Sequence, residues 1–135
     1  MIDAQLSLTG NGVIQLTSTE SGFACENDAQ LTNINNIVRG TGIFDGVGSQ
    51  LTFNNQSTII AENGRLEFED TILNNGSGQI EIDFDGQLFA ENSDVFGGTI
   101  TGFGGQMLGG RYRDLTLTGD IEAVSYTHLT LPTKA

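Results

Sequence analysis

The chain holds a single cysteine, a single proline and no tryptophan in 135 residues. One cysteine excludes an internal disulfide. Cys25 is expected as a small buried apolar side chain, because its neighbours Ser21, Gly22, Phe23, Ala24, Glu26 and Asn27 supply no base or cation to activate a thiol. Cations are equally scarce: five Lys and Arg stand against 17 Asp and Glu, for a formal charge of −12. Such a surface repels polyphosphate and anionic lipid, which argues against nucleic acid and against an acidic membrane face as partners. No run approaches the roughly 18 apolar residues that span a bilayer, so no membrane insertion by this segment is expected. The start, Met1-Ile-Asp-Ala, has neither the basic residues nor the apolar stretch of a signal peptide. Helix formers never recur at helical spacing over a useful window, which argues against long helices.

Glycine and asparagine are what the chain has in place of these. Nineteen glycines suit many short strands joined by tight turns. The doublets Asn35-Asn36, Asn54-Asn55 and Asn74-Asn75 recur at a spacing of about 20 residues, the mark of a repeat architecture. Glycines that open apolar segments, Gly42, Gly64, Gly86 and Gly105, keep nearly the same spacing. Two further series run between them: Ile59-Ile60, Ile80 with Ile82, and Ile100; then Leu51 with Phe53, Ile72-Leu73, and Val95-Phe96.

Three short apolar segments per twenty-odd residues describe one turn of a three-sided coil. Within Leu66-Glu-Phe68 and Ile80-Glu-Ile82 apolar and polar residues alternate, so one set points inward and the other to solvent. The expected fold is all-β, a right-handed parallel β-helix (β-solenoid) of about 19–22 residues per coil. Residues 31–122 form its repeats, roughly four coils between Ile34 and Ile121, and residues 1–30 form irregular N-terminal coils with a loop or an irregular turn of the coil expected over residues 18–28. Stacked coils lie about 4.8 Å apart, a spacing at which Asn36, Asn55 and Asn75 would form an amide ladder at one corner. No cap is evident at either end, and the reading is of a fragment.

Chemistry is thin by comparison. Asp83-Phe84-Asp85-Gly86 is the best cation candidate, with two carboxylates and a permissive glycine, but it lacks the third ligand and closing glutamate of a calcium loop. The outward face of a strand is the expected place for these acids. Arg111-Tyr112-Arg113-Asp114 puts two arginines on one face, where a solvated strand face with a local ion pair is expected rather than a site for an acidic sugar. Residues 97–105 carry glycines without a phosphate-loop ending and read as turns. There is no His/Cys cluster for zinc. No catalytic, cofactor-binding or metal residue is expected, no cofactor is called for, and the chain is not expected to be an enzyme.

From Ala123 the composition changes. The last thirteen residues, 123–135, hold the only His, the only Pro and the only Lys, and contain neither Gly nor Asn. From Val124 or Ser125 onward this tail resembles translated sequencing-adapter text, which removes His128, Lys134 and Tyr126 from any functional argument and leaves no Ser-His-Asp or Cys-His arrangement. The stretches Leu31-Thr-Asn-Ile-Asn-Asn-Ile-Val-Arg-Gly-Thr-Gly-Ile-Phe44 and Leu51-Thr-Phe-Asn-Asn-Gln-Ser-Thr-Ile-Ile-Ala61 resemble repeats of large secreted bacterial adhesins, the filamentous haemagglutinin-like and autotransporter passenger proteins. That resemblance implies a non-catalytic structural or adhesive passenger segment, extracellular or on the outer-membrane surface. Its implied partners are surface glycans or proteins of a host or neighbouring cell. The alternatives are a carbohydrate-active β-helix of lyase or hydrolase type, and a trimeric phage tail-fibre segment.

Overall fold

The structure is a computed structural model describing residues 5–124 and the backbone of residues 128–130. In chain order the strands are β1 (Gln5–Leu8), β2 (Val13–Ala24), β3 (Ala29–Asn33), β4 (Ile37–Asp45), β5 (Leu51–Asn55) and β6 (Thr58–Glu69), then β7 (Thr71–Asn74), β8 (Gln79–Ile82), β9 (Gly86–Phe96), β10 (Thr99–Arg113), β11 (Thr116–Ala123) and β12 (His128–Thr130). Each pairs in parallel with the strand one coil away. The chain is therefore a parallel β-solenoid of about six turns with roughly 21 residues per coil.

Three walls enclose the core. The first runs through β1, β3, β5, β7, the end of β9, the end of β10 and β12. The second links the starts of β2, β4 and β6 with β8 and the starts of β10 and β11. The third joins the ends of β2, β4 and β6 to the start of β9, the middle of β10 and the end of β11.

The alternation written in the sequence sorts side chains between core and surface. Along β3 and β5 every second residue is buried. On the first wall the inward column is Leu31, Phe53, Leu73, Val95 and Tyr112, all fully buried. The second wall contributes Val38, Ile59, Ile80 and Ile100, and the third Leu66, Leu88 and Met107. Each such side chain contributes about 1.5–3 kcal/mol relative to exposure. Phe44 holds the N-terminal coils together: its ring stacks at 5.4 Å on Phe23, 4.8 Å on Phe53 and 4.9 Å on Phe68.

A buried amide ladder occupies the corner between the first and second walls. Asn33 Nδ2 donates to Asn55 Oδ1 at 3.1 Å, Asn55 Nδ2 to Asn75 Oδ1 at 2.8 Å, and Asn75 Nδ2 to the Gly97 carbonyl at 3.3 Å. The expected ladder of Asn36, Asn55 and Asn75 is thus corrected at its first rung. Register pairs Asn33 with Asn55, because the doublet Asn35-Asn36 falls late in its coil, past the end of β3 and against the start of β4. Asn36 sits in the same corner as a brace: its backbone N–H donates to Asn33 Oδ1, and its Oδ1 accepts from the Gly12 N–H. The ladder ends where Gly98 (φ +64°) crosses Asn75, since a Cβ there would overlap the Asn75 carbonyl oxygen.

Two points sharpen the expectation. Over residues 18–28, where a loop or an irregular turn of the coil is expected, the irregular turn is the form taken: β2 runs through to Ala24, with a register shift between Thr17 and Gly22 that absorbs the residues lacking alternation. The coil also tapers along the stack, so that its two ends fall outside the expected range. Gln5 pairs with Gln30 across a wide first turn, whereas Asp94 pairs with Arg111 across a narrow late one. The third corner shortens to Gly109-Gly110, both at positive φ, which accounts for the narrower final turns.

Candidate functional site

The second-to-third corner carries the most concentrated chemistry. The position that follows the second wall holds Thr41, Glu62, Asp83, Phe103 and Asp120 in successive coils, one above the other. Arg39 reaches diagonally from β4 and binds Glu62 through two parallel bonds, Nε to Oε2 and an Nη to Oε1, both 2.7 Å. Glu62 is buried, and a planar guanidinium matches a carboxylate in this bidentate way. Thr41 Oγ1 donates to the Glu62 carbonyl, and Gln15 lies on the other side with its amide against the Arg39 carbonyl.

Asp83 follows Glu62 in the column, and the two acids are driven apart in proton affinity. The Arg39 bond holds Glu62 below the ordinary glutamate range against the opposing effect of burial. Burial raises Asp83, and the charges of Glu62 and Asp85 add to it. Split affinities of this kind mark acid–base pairs. Here, however, Glu62 is buried in the corner. Both Glu62 oxygens are also occupied by Arg39. The arrangement ties two coils together through a bidentate ion pair.

Acids crowd the third wall too. Asp45, Glu69 and Asp70 form one group, and Glu67, Glu69 and Glu91 another, with carboxylate oxygens within 4.8 Å. Burial raises Glu67, with Glu91 adding to it, and raises Glu69, with Asp45 adding to it. Asp70 is held low by Asn92, whose Nδ2 donates at 2.7 Å, and by the Gly48 N–H. Beside it a groove of about 500 Å³ crosses four coils, lined among others by Gln50, Asp70, Asn92, Asp94 and Arg111.

The residues singled out from sequence fall as follows. Asp83 and Asp85 are not on a strand face: β8 ends at Ile82, and Asp83 opens a turn closed by the Gly86 N–H on its carbonyl at 2.8 Å. Neither belongs to the clustered carboxylates above. Arg111 and Arg113 do share the outward face opposite buried Tyr112; Arg111 lies 3.6 Å from Asp94, and Arg113 lies 3.6 Å from Asp114 and over the Phe96 ring. Cys25 is buried, with its thiol pushed up first by burial and then by Asp28 and Asp45. Gly97 and Gly98 make the corner after β9, while Gly102, Gly104 and Gly105 lie within β10. The backbone of His128 pairs with Arg111; Tyr126 and Lys134 lie outside the described residues.

Sequence reading missed the Arg39–Glu62–Asp83 cluster. Arg39 and Glu62 lie more than one coil apart along the chain and meet diagonally, so neither repeat phase nor local motif joins them. One signal is present: Arg39 is the first of only four arginines, and it stands among apolar residues.

Fold and site together define a parallel β-solenoid with polar, largely acidic outer columns. Comparison with protein-family models, with curated proteins and with solved structures finds no match for this chain.

Proposed function

We propose that the chain is a non-catalytic segment of a secreted or cell-surface protein, which projects and presents a binding surface. The observation that carries this reading is the unbroken parallel stacking of all three walls from β1 to β11, with most corners only a few residues long. A stack of this kind turns chain length into height, about 5 Å per coil, while the outward columns stay free to vary. Those columns are ladders of polar side chains, such as Arg65, Gln87, Gln106 and Glu122 in successive coils. The resemblance to adhesin repeats supports the same reading.

Two measurements test it. Antibody against the chain is expected to label intact producing cells without permeabilisation, and beads coated with the chain are expected to adhere to cells or to a glycan or protein array. Labelling only after permeabilisation, or no adhesion on any array, would overturn the proposal. So would cleavage of a polysaccharide by the purified chain, above all if Glu62→Gln abolished it, since that outcome would favour a carbohydrate-active β-helix. An obligate trimer by sedimentation would point instead to a tail-fibre segment.

A further inference from the structure

Four phenylalanines of this solenoid point away from the core, and the molecule treats them in two ways. Phe89 and Phe96 are each covered by an arginine of the chain itself, Arg65 at 4.6 Å and Arg113 at 4.5 Å from the ring centroid. Phe84 and Phe103 have no ring or cation partner among the described residues, and they are 79% and 55% exposed. These two rings occupy adjacent coils of the second-to-third corner. Phe103 follows Gly102, the register partner of Ile82, and so stands over Asp83, while Gly104 stands over Phe84, with a Cβ there 3.5 Å from that of Phe84.

Carboxylates surround the uncovered pair: Asp83 below, Asp85 beside Phe84, and Asp120 in register above Phe103. The nearby cations are already engaged, Arg39 by Glu62 and Arg65 by Phe89 and Gln87. An exposed phenyl face flanked by Asp85 and Asp120, neither paired with a cation among the described residues, favours a cation with an apolar stem. A guanidinium suits it best, because it stacks on the ring and forks to a carboxylate at once. The chain uses this ring–guanidinium pairing twice on its own surface.

We propose that Phe84 and Phe103, with Asp85 and Asp120, form a docking site for an arginine-bearing segment of a basic partner protein. Charge complementarity selects that occupant, because a surface of −12 attracts cationic polypeptide over the whole face and the two rings fix where it settles. A second copy of this chain is a poor fit, having only five cationic residues, of which Arg39, Arg65 and Arg113 are engaged in its own contacts. The site does not depend on where the solenoid is displayed, so it stands apart from the passenger role.

The test is an NMR titration of the full chain with an amidated pentapeptide of alternating arginine and glycine, at about 0.15 M salt to suppress diffuse attraction. Saturable shifts are expected at residues 83–85, 103–104 and 120, with weaker binding by the matching lysine peptide. The charge-neutral double variant Phe84→Ser/Phe103→Ser should weaken arginine-peptide binding roughly tenfold. Both rings are exposed, so the variant is expected to keep the wild-type circular dichroism and melting curve; should it not, Asp85→Asn serves as the second probe. Equal affinity of wild type and variant, or shifts centred on Glu67, Glu69 and Glu91, would reduce the effect to general electrostatics and overturn the proposal. Self-association abolished by the variant would assign the patch to a second copy, and competition by a neutral oligosaccharide would assign it to a sugar; either outcome overturns it too.

Discussion

Asn55 is bonded to both neighbouring coils at once, accepting from Asn33 below and donating to Asn75 above, in a column that water does not reach. Asn55→Ala strands the Asn75 Oδ1 atom and removes one of the two acceptors of Asn33, an expected loss of about 2–3 kcal/mol in urea unfolding. Asn54 points outward, with longer bonds to Thr32 and Asn74, and Asn54→Ala should cost under about 1 kcal/mol. Equal costs would contradict the ladder. Arg39→Met tests the other buried polar contact. It leaves the Glu62 carboxylate beside Asp83 with no cation, and because Arg39 is about one-third exposed the expected loss near pH 7 is about 1–3 kcal/mol. Part of that loss should be regained on acidification, when Glu62 takes up a proton; a loss independent of pH would sink the assignment. At this scale the sequence announced that asparagine was structural and misplaced one rung of it. The segment Asn33-Ile-Asn-Asn36 offers three candidate asparagines, and only the register of β3 on β5 decides which one joins the ladder.

Whole segments were more legible than single side chains. Of the first-wall series Phe53, Leu73 and Val95 pair in register, and Ile59, Ile80 and Ile100 pair on the second. Alternation over four or five residues is a strong signal because a slip of one would turn every inward side chain out. The reach of the longest strands stayed hidden. β10 continues from Thr99 to Arg113 across glycines that read as turns, since the second-to-third corner is a bulge within a continuing strand. The aromatic stack was also invisible, because its rings come from strands in successive coils, Phe23 at one end and Phe68 at the other. Phe44→Ala removes the shared partner of three rings and should cost about 3–5 kcal/mol in chemical denaturation. Phe23→Ala, at the half-buried edge of the stack, should cost distinctly less. The reverse order would mean that the stack is not centred on Phe44.

Across the whole molecule, acidity sets the response to pH. Glu67, Glu69 and Asp83 titrate higher in the folded chain than in an unfolded one, chiefly through burial. Their stabilisation is present below the unfolded values of 4.5 for glutamate and 3.8 for aspartate, and is lost as pH rises through the folded values. Glu62 and Asp70 titrate lower; their stabilisation is present above those values and is lost as pH falls through the folded ones. Stability should therefore peak in mild acid, near pH 4.5, and decline on either side, with added salt restoring part of the loss near pH 7. Urea midpoints across pH 3 to 8 check this, and a steady rise to pH 7 would contradict it. Net charge was plain in the sequence, but which acids bear the strain follows from stacking that brings Asp45, Glu69 and Glu91 into one column.

The walls hold by bonds that run between coils, so a pull on the two chain ends acts on one coil at a time. A coil under tension is peeled from the rim, and those beneath stay intact until their turn. With about 21 residues per coil, each release would add roughly 70 Å of contour. A solenoid of this build would give under load coil by coil, in longer steps from its wide first turns than from its narrow late ones, and could rewind by the same path once the load is removed.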